Sequence, residues 1–383
     1  MSEPTLKPGV QEPAAGGILT IDLGALAQNW RTLRDRAGGA ECAAVVKADA
    51  YGLGIQAAVP ALSRAGCRTF FVAQLGEAAR VRAAAPGATI YVLNGLLPGT
   101  APAYAEHDLR PVLGSREEIA EWAAFCRGAG RRLSAAIHVD TGMNRLGLRA
   151  EEAAALAPDP LLREFEPALV MSHFVSSEES DNPINRRQID GFATARAAFQ
   201  GVAASLANSS GIFLPRAPRQ DLVRPGYALY GGNPTPGREN PMRPVVRLEA
   251  RIVQLRTIGA GETAGYNGLW TAAGPRRVAT LSVGYADGYP RAASATDAKR
   301  EAGTAAGEAI VAGRRCPFAG RVSMDLITLD VSAVPEAEVA RGDLVTLIGD
   351  DLTLDEVGAR AGTIGYEILT SLGRRYARRY VGA

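Results

Sequence analysis

The residues best suited to chemistry stand where short apolar segments end. Lys47 closes the run AAVVK, and Tyr51 follows it in ADAYGLG. Arg145 follows AAIHVDTG, and His173 follows ALVMS. Burial disfavours a charged ammonium, and a lysine with a lowered pKa can form a Schiff base with an aldehyde cofactor. A lysine that reaches solvent or pairs with an acid at the strand end is the alternative.

Two segments of small residues are suited to hold a phosphate group. SLANSSGI contains Asn208 and Ser209, and VRPGYALYG contains Arg224, Gly226 and Tyr227. Hydroxyls and free backbone N–H groups bind phosphate, and glycine lets the backbone approach closely. Either segment taken alone is also explained by an ordinary turn. Taken with the lysine, they predict a site for a phosphorylated aldehyde.

The elements that must position these residues alternate along the chain. Between Ile18 and about Tyr230, alanine-rich amphipathic segments separate the apolar runs AAVVK, TFFVAQ, TIYVLNG, LRPVLG, AAIHVDTG, ALVMSHF, SLANSSG and LVRPGYALYG. Such alternation predicts βαβ units and a parallel sheet. Eight units favour an eight-stranded parallel α/β barrel of the TIM type, with functional residues at the carboxyl ends of its strands. An open doubly wound sheet is the alternative, because SLANSSG makes a poor strand.

The pattern changes after the linker-like segment GGNPTPGRENPMRP. Short β-rich runs without long helices follow it, so we expect a barrel domain at 18–240 and a mostly β C-terminal domain at 241–383. Residues 1–17 are rich in proline and glycine and predict a flexible tail. They lack the basic and apolar regions of a secretory signal, which favours a cytoplasmic protein.

Composition excludes several classes of partner and cofactor. The 42 basic and 40 acidic residues leave a net charge of +2, which favours neither nucleic acid nor a membrane surface. No apolar run has the length of a membrane helix. The 4 cysteines are scattered and there are 3 histidines, so we expect reduced thiols and no metal site. The absence of a G-x-G-x-x-G motif argues against a dinucleotide.

With these residues the sequence resembles the alanine racemases, which are pyridoxal 5′-phosphate (PLP) enzymes with a barrel domain. The resemblance spans nearly the whole chain, and its motifs are VVKADAYGLG, HVDTGMNRLG, MSHF, ANSSG, VRPGYALYG, AGETAGYNGLW, LSVGYADGYPR and RVSMDLITLDV. It implies a homodimer with shared active sites that interconverts L-alanine and D-alanine. The product would serve peptidoglycan synthesis or D-alanine catabolism.

The resemblance also implies a role for each residue. Lys47 would hold the cofactor and serve as one of two bases, and Tyr266 of the partner subunit would be the other. Arg145 and the backbone of Met324 would orient the substrate carboxylate. The further cofactor contacts would be Tyr51, His173, Ser209, Arg224, Gly226, Tyr227 and Tyr366. The residues that narrow the entrance would be Tyr285 and Tyr366.

Racemisation needs two acid/base groups, because the Cα proton leaves one face and returns to the other. Ionising a tyrosine of ordinary pKa at pH 7 costs about 4 kcal/mol. Positive charges on Arg224 and His173 are the expected compensation for Tyr266. The arginine would face the pyridine nitrogen and keep it unprotonated, since guanidinium does not give up a proton. This arrangement would favour reprotonation at Cα over transamination.

The chain departs from the family pattern at two positions. Many members carry a carbamylated lysine two residues before the Asp of VDTGM, and its anion orients the arginine. His138 stands there in this chain and forms no stable carbamate of that kind, so a bound anion or a nearby carboxylate would have to orient Arg145. Ser323 stands where a cysteine is frequent.

Two other functions are weighed against alanine racemisation. A broad-specificity amino-acid racemase fits the same motifs, whereas GYNGLW and SVGYADGYPR argue against an amino-acid decarboxylase. A non-enzymatic PLP carrier is a bare barrel, and this chain continues well beyond its barrel segment. The sequence therefore favours alanine racemisation.

Overall fold

The structure is a computed structural model, and it describes residues 14–215 and 217–382. The chain divides into two compact units. One comprises residues 24–243, and the other joins the N-terminal segment up to residue 23 to the residues from 244 onward. Most of the predicted flexible tail, residues 1–13, lies outside the described residues.

Up to residue 243, short strands alternate with helices. The strands are β1 (Gly17–Asp22), β2 (Glu41–Cys42), β3 (Ala44–Val45), β4 (Thr69–Val72), β5 (Thr89–Val92), β6 (Arg110–Leu113), β7 (Ser134–His138), β8 (Glu166–Met171), β9 (Ala204–Ser205) and β10 (Leu222–Val223). The helices are α1 (Leu23–Arg36), α2 (Ile55–Ala65), α3 (Leu75–Ala84), α4 (Ala101–Glu106), α5 (Arg116–Gly128), α6 (Ala150–Leu156) and α7 (Pro183–Ala198). The predicted amphipathic segments therefore do form helices.

Strands β3 to β9 form a seven-stranded parallel sheet in chain order. Every residue of β4 is buried, as expected for a strand covered on both faces. Strand β10 pairs in parallel with β2. Beside β9, the amides of Asp221 and Arg224 donate to the carbonyls of Ala204 (3.1 Å) and Ala207 (2.9 Å). The strands thus continue in hydrogen-bonded sequence from β9 through β10 to β2.

The helices bury one face against this sheet. In α5 the residues Ile119, Trp122 and Cys126 are buried at helical spacing. Ser115 caps the helix, because its hydroxyl accepts from the amide of Glu118. The Glu118 carboxylate accepts in turn from the Ser115 amide, which completes a capping box.

The other unit is mostly β, as the sequence predicts. Its further strands are β11 (Val246–Ile258), β12 (Thr263–Ala264), β13 (Trp270–Thr271), β14 (Arg276–Leu281), β15 (Glu308–Val311), β16 (Arg314–Pro317), β17 (Ile327–Asp330), β18 (Leu344–Ile348) and β19 (Ala377–Val381). Its helices are α8 (Asp297–Glu301), α9 (Leu354–Arg360) and α10 (Gly365–Ser371). Its large sheet has the order β16-β15-β18-β11-β1-β19, and β14 pairs with both β11 and β17.

Strand β1 belongs to this mostly β unit, although it precedes the barrel segment in the chain. It pairs antiparallel with β11 and parallel with β19, so its backbone groups are satisfied on both sides. The structure therefore differs from the expected boundary at residue 18. The position of β1 depends on its pairing with β11 and β19, which are far from it in the chain.

Among the helices of the described residues, none combines the length and the apolar character needed to cross a bilayer.

Candidate functional site

Lys47 begins a short turn at the carboxyl end of β3. The amide of Val46 still continues the sheet by donating to the Phe71 carbonyl at 2.8 Å. The next residues, from Ala48 to Tyr51, all have positive φ, between 52° and 56°. Left-handed helical geometry costs L-residues about 1–2 kcal/mol each. The chain thus holds its candidate lysine in a strained turn, as is frequent at functional sites.

The environment of Lys47 favours its neutral form. Burial lowers the pKa of its ammonium, and the nearby Arg145 guanidinium lowers it further. The Glu77 carboxylate acts in the opposite direction. A lysine with a lowered pKa is a better nucleophile and a better base near neutral pH. The sequence-based interpretation of Lys47 as a chemically active lysine therefore has a physical basis in this structure.

Ser209 and the glycine of VRPGYALYG form a small polar cradle. The Ser209 hydroxyl accepts hydrogen bonds from the amides of Gly226 (3.0 Å) and Ala228 (3.2 Å). A Cβ atom at position 226 would overlap the Tyr51 hydroxyl, so glycine is required there. Two backbone amides, one serine hydroxyl and one tyrosine hydroxyl therefore converge. Hydroxyls and backbone amides are the groups that bind phosphate in proteins, and in this structure the two amides donate to Ser209.

Tyr230 supports Tyr51 from the side and was missed by the sequence analysis. The two rings stack with centroids 4.6 Å apart. The Tyr230 hydroxyl donates to the Val45 carbonyl at 3.0 Å, which ties the cradle to the strand before Lys47. Tyr230 stands in VRPGYALYG, the segment that the sequence indicates for phosphate binding, and this position could have identified it.

Arg224 is a buried cation. Its guanidinium donates to the Ser205 hydroxyl and to the Ser172 carbonyl. In the part of the chain that the structure describes, no carboxylate forms a salt bridge with it. Burial lowers the pKa of Arg224 to about 9, so it stays charged at pH 7. Ser205, also missed from sequence, donates in turn to the Leu222 carbonyl at 2.6 Å.

Both histidines near this cation are neutral at pH 7. Burial, followed by the charges of Arg224, Lys47 and Arg145, lowers the pKa of His173 to about 3. Burial and the Arg224 guanidinium lower the pKa of His138 to about 4. The expectation that His173 carries a positive charge is therefore wrong. A buried imidazole beside several cations gains more by staying unprotonated.

Arg145 follows a turn that Asp140 organises. The Asp140 carboxylate accepts hydrogen bonds from the amides of Gly142 (2.9 Å), Met143 (2.9 Å) and Asn144 (3.0 Å). Asn144 has a φ of 55°, which asparagine tolerates well. The carboxylate thus shapes the backbone that leads to Arg145, whose side chain is exposed.

Tyr266 lies in the mostly β unit, at the edge of a groove. Its side chain is 68% exposed in the single chain. The groove has a volume of about 490 Å³, and its lining includes Gln254, Arg256, Thr280, Arg321 and Ser323. A positive φ of 76° at the preceding Gly265 and of 64° at Asn267 bends the backbone around the tyrosine.

Tyr285 and Met324 are brought together in the same unit. The amides of Tyr285 and Ala286 donate to the carbonyls of Ser323 and Met324, each at 2.9 Å. Both side chains are exposed, Tyr285 at 39% and Met324 at 53%. Tyr366 lies on α10 and is half-buried.

Asp287 was missed by the sequence analysis, although it stands in the quoted motif SVGYADGYPR. Its buried carboxylate accepts from the Gly284 amide at 2.8 Å and pairs with Arg375 at 3.0 Å. Arg375 also pairs with Asp325 at 2.8 Å, next to Met324. This network fixes the loop that carries Tyr285.

The predicted site residues therefore fall into two groups. The unit of residues 24–243 holds Lys47, Tyr51, Arg145, His173, Ser209, Arg224, Gly226 and Tyr227. The mostly β unit holds Tyr266, Tyr285, Met324 and Tyr366. In the described ranges, no cluster of histidine, cysteine and acidic side chains could hold a metal ion.

Known proteins match this chain along nearly all of its length. The family model described as alanine racemase, N-terminal domain, matches residues 21–234, and the model for the C-terminal domain matches residues 245–380. An alanine racemase from Methylobacterium nodulans is 64% identical over 366 residues, which cover 96% of each chain.

Two relatives from Agrobacterium fabrum differ in their descriptions. One is described as a catabolic alanine racemase, with 48% identity over 97% of this chain and 94% of its own length. The other is described as biosynthetic, with 46% identity over 95% of this chain and 94% of its own. Among solved structures, alanine racemase from Bartonella henselae with covalently bound pyridoxal phosphate has 39% identity and a TM-score of 0.90. The match covers 96% of this chain and 100% of that one.

Proposed function

The chain belongs to the alanine racemase family, and from this membership we infer that it is a PLP-dependent enzyme that interconverts L-alanine and D-alanine. The observation that carries this function is the convergence of two features in one unit. Lys47 has a lowered pKa, and the Ser209–Gly226 cradle offers phosphate donors. When bound, PLP supplies an electron sink for the pair of electrons left at Cα.

We propose that the unit of residues 24–243 is the PLP-binding domain and that its sheet closes as an eight-stranded barrel. The hydrogen bonds from β9 through β10 to β2 support closure. The carboxyl ends of barrel strands carry the functional groups in this architecture. Lys47 after β3 and His173 after β8 follow that rule.

The cofactor contacts follow from the donors in this unit. Ser209, the amides of Gly226 and Tyr227, and the hydroxyl of Tyr51 would hold the phosphate, and Tyr366 would complete the cradle. Arg224 would face the pyridine nitrogen, with neutral His173 beside the ring. A guanidinium that keeps its protons leaves a facing nitrogen unprotonated, so electron density stays near Cα.

Lys47 and Tyr266 are the proposed bases. The Nζ atom of Lys47 would take or return the Cα proton on one face, and the Tyr266 hydroxyl would act on the other. Ionising the phenol requires a positive charge nearby, and Arg224 remains the proposed source because His173 is neutral. Positioned acid/base groups of this kind typically contribute about 10²–10⁴-fold to a rate.

The substrate would be oriented by its carboxylate. The exposed Arg145 guanidinium and the backbone of Met324 are the proposed contacts, and Tyr285 and Tyr366 would narrow the entrance. A guanidinium binds a carboxylate through paired N–H donors, which sets direction as well as affinity. The ordered turn at Asp140 supports this role for Arg145.

We propose that the active enzyme is a homodimer in which Tyr266 completes the partner's site. The exposure of Tyr266 in the single chain supports this arrangement. The test mixes two inactive variants, Lys47→Ala and Tyr266→Phe, under conditions that allow subunits to exchange. Mixed dimers would contain one intact site, so activity should return to about a quarter of wild type. Inactivity of the mixture would contradict shared sites.

The activity itself is tested with purified protein and PLP. L-alanine is added in D2O, and loss of the α-proton is followed together with the appearance of D-alanine. We expect both, with visible absorption from the bound cofactor. Serine and other small amino acids should react more slowly, and equal rates would favour a broad-specificity racemase.

The physiological direction is either D-alanine supply for peptidoglycan or D-alanine catabolism, in a protein that we propose to be cytoplasmic. Both kinds of relative occur at similar identity in Agrobacterium fabrum. Deletion of the gene tests the choice. A requirement for added D-alanine would indicate supply, whereas loss of growth on D-alanine as nutrient would indicate catabolism.

A further inference from the structure

The turn that carries Lys47 has no glycine at its strained positions. Ala48, Asp49, Ala50 and Tyr51 have φ values of 52°, 56°, 56° and 53°. Left-handed geometry is unfavourable for each of these L-residues, and they usually visit it only singly. Contacts from outside the turn must therefore hold it in this form.

Asp49 is the anchored residue of the turn. Its carboxylate oxygen Oδ1 accepts from the Ile55 amide at 2.9 Å and from the Arg80 guanidinium at 2.6 Å. Its own amide donates to the Glu77 carboxylate at 3.1 Å, and its carbonyl accepts from Gly54 at 2.8 Å. Both carboxylate and backbone of Asp49 are thus bonded, and two of the partners are side chains of α3.

Glu77 joins the turn to the neighbouring strand. While its Oε1 atom binds the Asp49 amide, its Oε2 atom accepts from the amides of Ala73 (3.0 Å) and Gln74 (3.2 Å), just after β4. Arg80 likewise binds Gln56 at 2.8 Å. One turn of α3 therefore connects the strained segment to the end of β4 and to α2.

We propose that Glu77 and Arg80 are positioning residues that hold the Lys47–Tyr51 turn in its left-handed form, so that Lys47 and Tyr51 reach PLP together. This inference rests on the proposed cofactor roles of Lys47 and Tyr51. Without the two side chains the turn relaxes toward ordinary backbone geometry, and the lysine and the tyrosine hydroxyl lose their common direction.

The test uses the full-length variants Arg80→Met and Glu77→Ala. Equilibrium titration with PLP measures affinity, and amide hydrogen exchange over residues 47–54 reports the turn without added cofactor. We expect affinity to fall about fivefold for Arg80→Met. The fall for Glu77→Ala should be on the order of tenfold, because hydrogen bonds to a charged group are lost. Exchange should be faster in both.

Rescue by glycine separates positioning from general destabilisation. Ala48 is exposed, and glycine adopts its φ of 52° without strain. Adding Ala48→Gly to either variant should restore PLP affinity toward the wild-type value. The matched control is Arg116→Met, which removes a similarly exposed ion pair between Arg116 on α5 and Asp159. It should leave PLP affinity unchanged.

The outcomes distinguish the two levels of inference. Failure of the wild-type protein to bind PLP would contradict the proposed function. Wild-type binding with unchanged affinity in both variants would overturn the positioning role. A loss of PLP affinity that Ala48→Gly does not restore would also overturn the positioning role. So would a loss no larger than that of Arg116→Met.

Discussion

The Ser209 hydroxyl accepts a hydrogen bond from the Gly226 amide at 3.0 Å, although the two residues are 17 positions apart. The contact joins the segment after β9 to the segment after β10. It places one hydroxyl and one backbone amide side by side, close to the Tyr51 hydroxyl. The proposed phosphate site depends on this pairing.

Replacing Ser209 by alanine should weaken PLP binding by about ten- to a hundredfold. The change removes the hydroxyl proposed to donate to the phosphate, and a hydrogen bond to a charged group is worth about 1.5–3 kcal/mol. Titration of the protein with PLP measures the effect. Ser63→Ala is the control. The buried Ser63 hydroxyl has no hydrogen-bond partner among the residues that the structure describes, so its removal should cost little.

Replacing Gly226 by alanine should abolish tight PLP binding. The added methyl group would overlap the Tyr51 hydroxyl and contact the Val45 side chain. Absorption of the bound cofactor after dialysis reports the loss. Gly128→Ala, at the end of α5 with open space around it, should bind PLP normally and would be slightly stabilised. Normal PLP retention by Gly226→Ala would contradict the proposed cradle.

Tyr266→Phe should abolish α-proton exchange from L-alanine much more than from D-alanine. Each base serves one enantiomer, and Lys47 remains intact in this variant. Exchange into D2O, followed separately for the two enantiomers, measures the asymmetry. Tyr380 is another exposed tyrosine of the mostly β unit. Its variant Tyr380→Phe is the matched control, and we expect normal α-proton exchange from both L-alanine and D-alanine. Equal losses from both enantiomers in Tyr266→Phe would refute its assignment.

The free energy of unfolding should fall as the pH drops from 6.5 toward 4. The pKa of His138 is lowered from 6.5 to about 4, so in this window the unfolded chain binds a proton that the folded chain does not. The unfolded state is then favoured by up to about 1.4 kcal/mol per pH unit for one such histidine. The contribution of His138 to stability is therefore complete above pH 6.5.

The His138→Gln variant isolates this contribution. Urea unfolding at pH 7 and pH 5 gives the pH-dependent loss for wild type and variant. We expect a smaller loss in the variant, because a neutral amide replaces the titrating imidazole. An identical loss in both proteins would show that His138 is not held neutral by the fold.

Local sequence patterns predicted much of this protein. Alternating apolar and amphipathic segments predicted parallel strands and helices, because hydrophobic periodicity reflects which faces are buried. The positions of Lys47 and His173 after strands, and the Ser/Gly segments at Ser209 and Gly226, identified the candidate site before any tertiary information. These features depend on residue type and near neighbours alone.

Tertiary structure decided the rest, because it depends on contacts between residues far apart in the chain. Strand β1 joins the mostly β unit through pairing with β11 and β19. His173 is neutral because burial and surrounding cations act on it together. The turn after Lys47 is left-handed although its residues are not glycine. Two side chains of α3, Glu77 and Arg80, hydrogen-bond to Asp49 and hold the turn in this form. The sequence by itself determined which lysine could act, and the assembled contacts determined the turn that holds it and lowered the pKa of its ammonium.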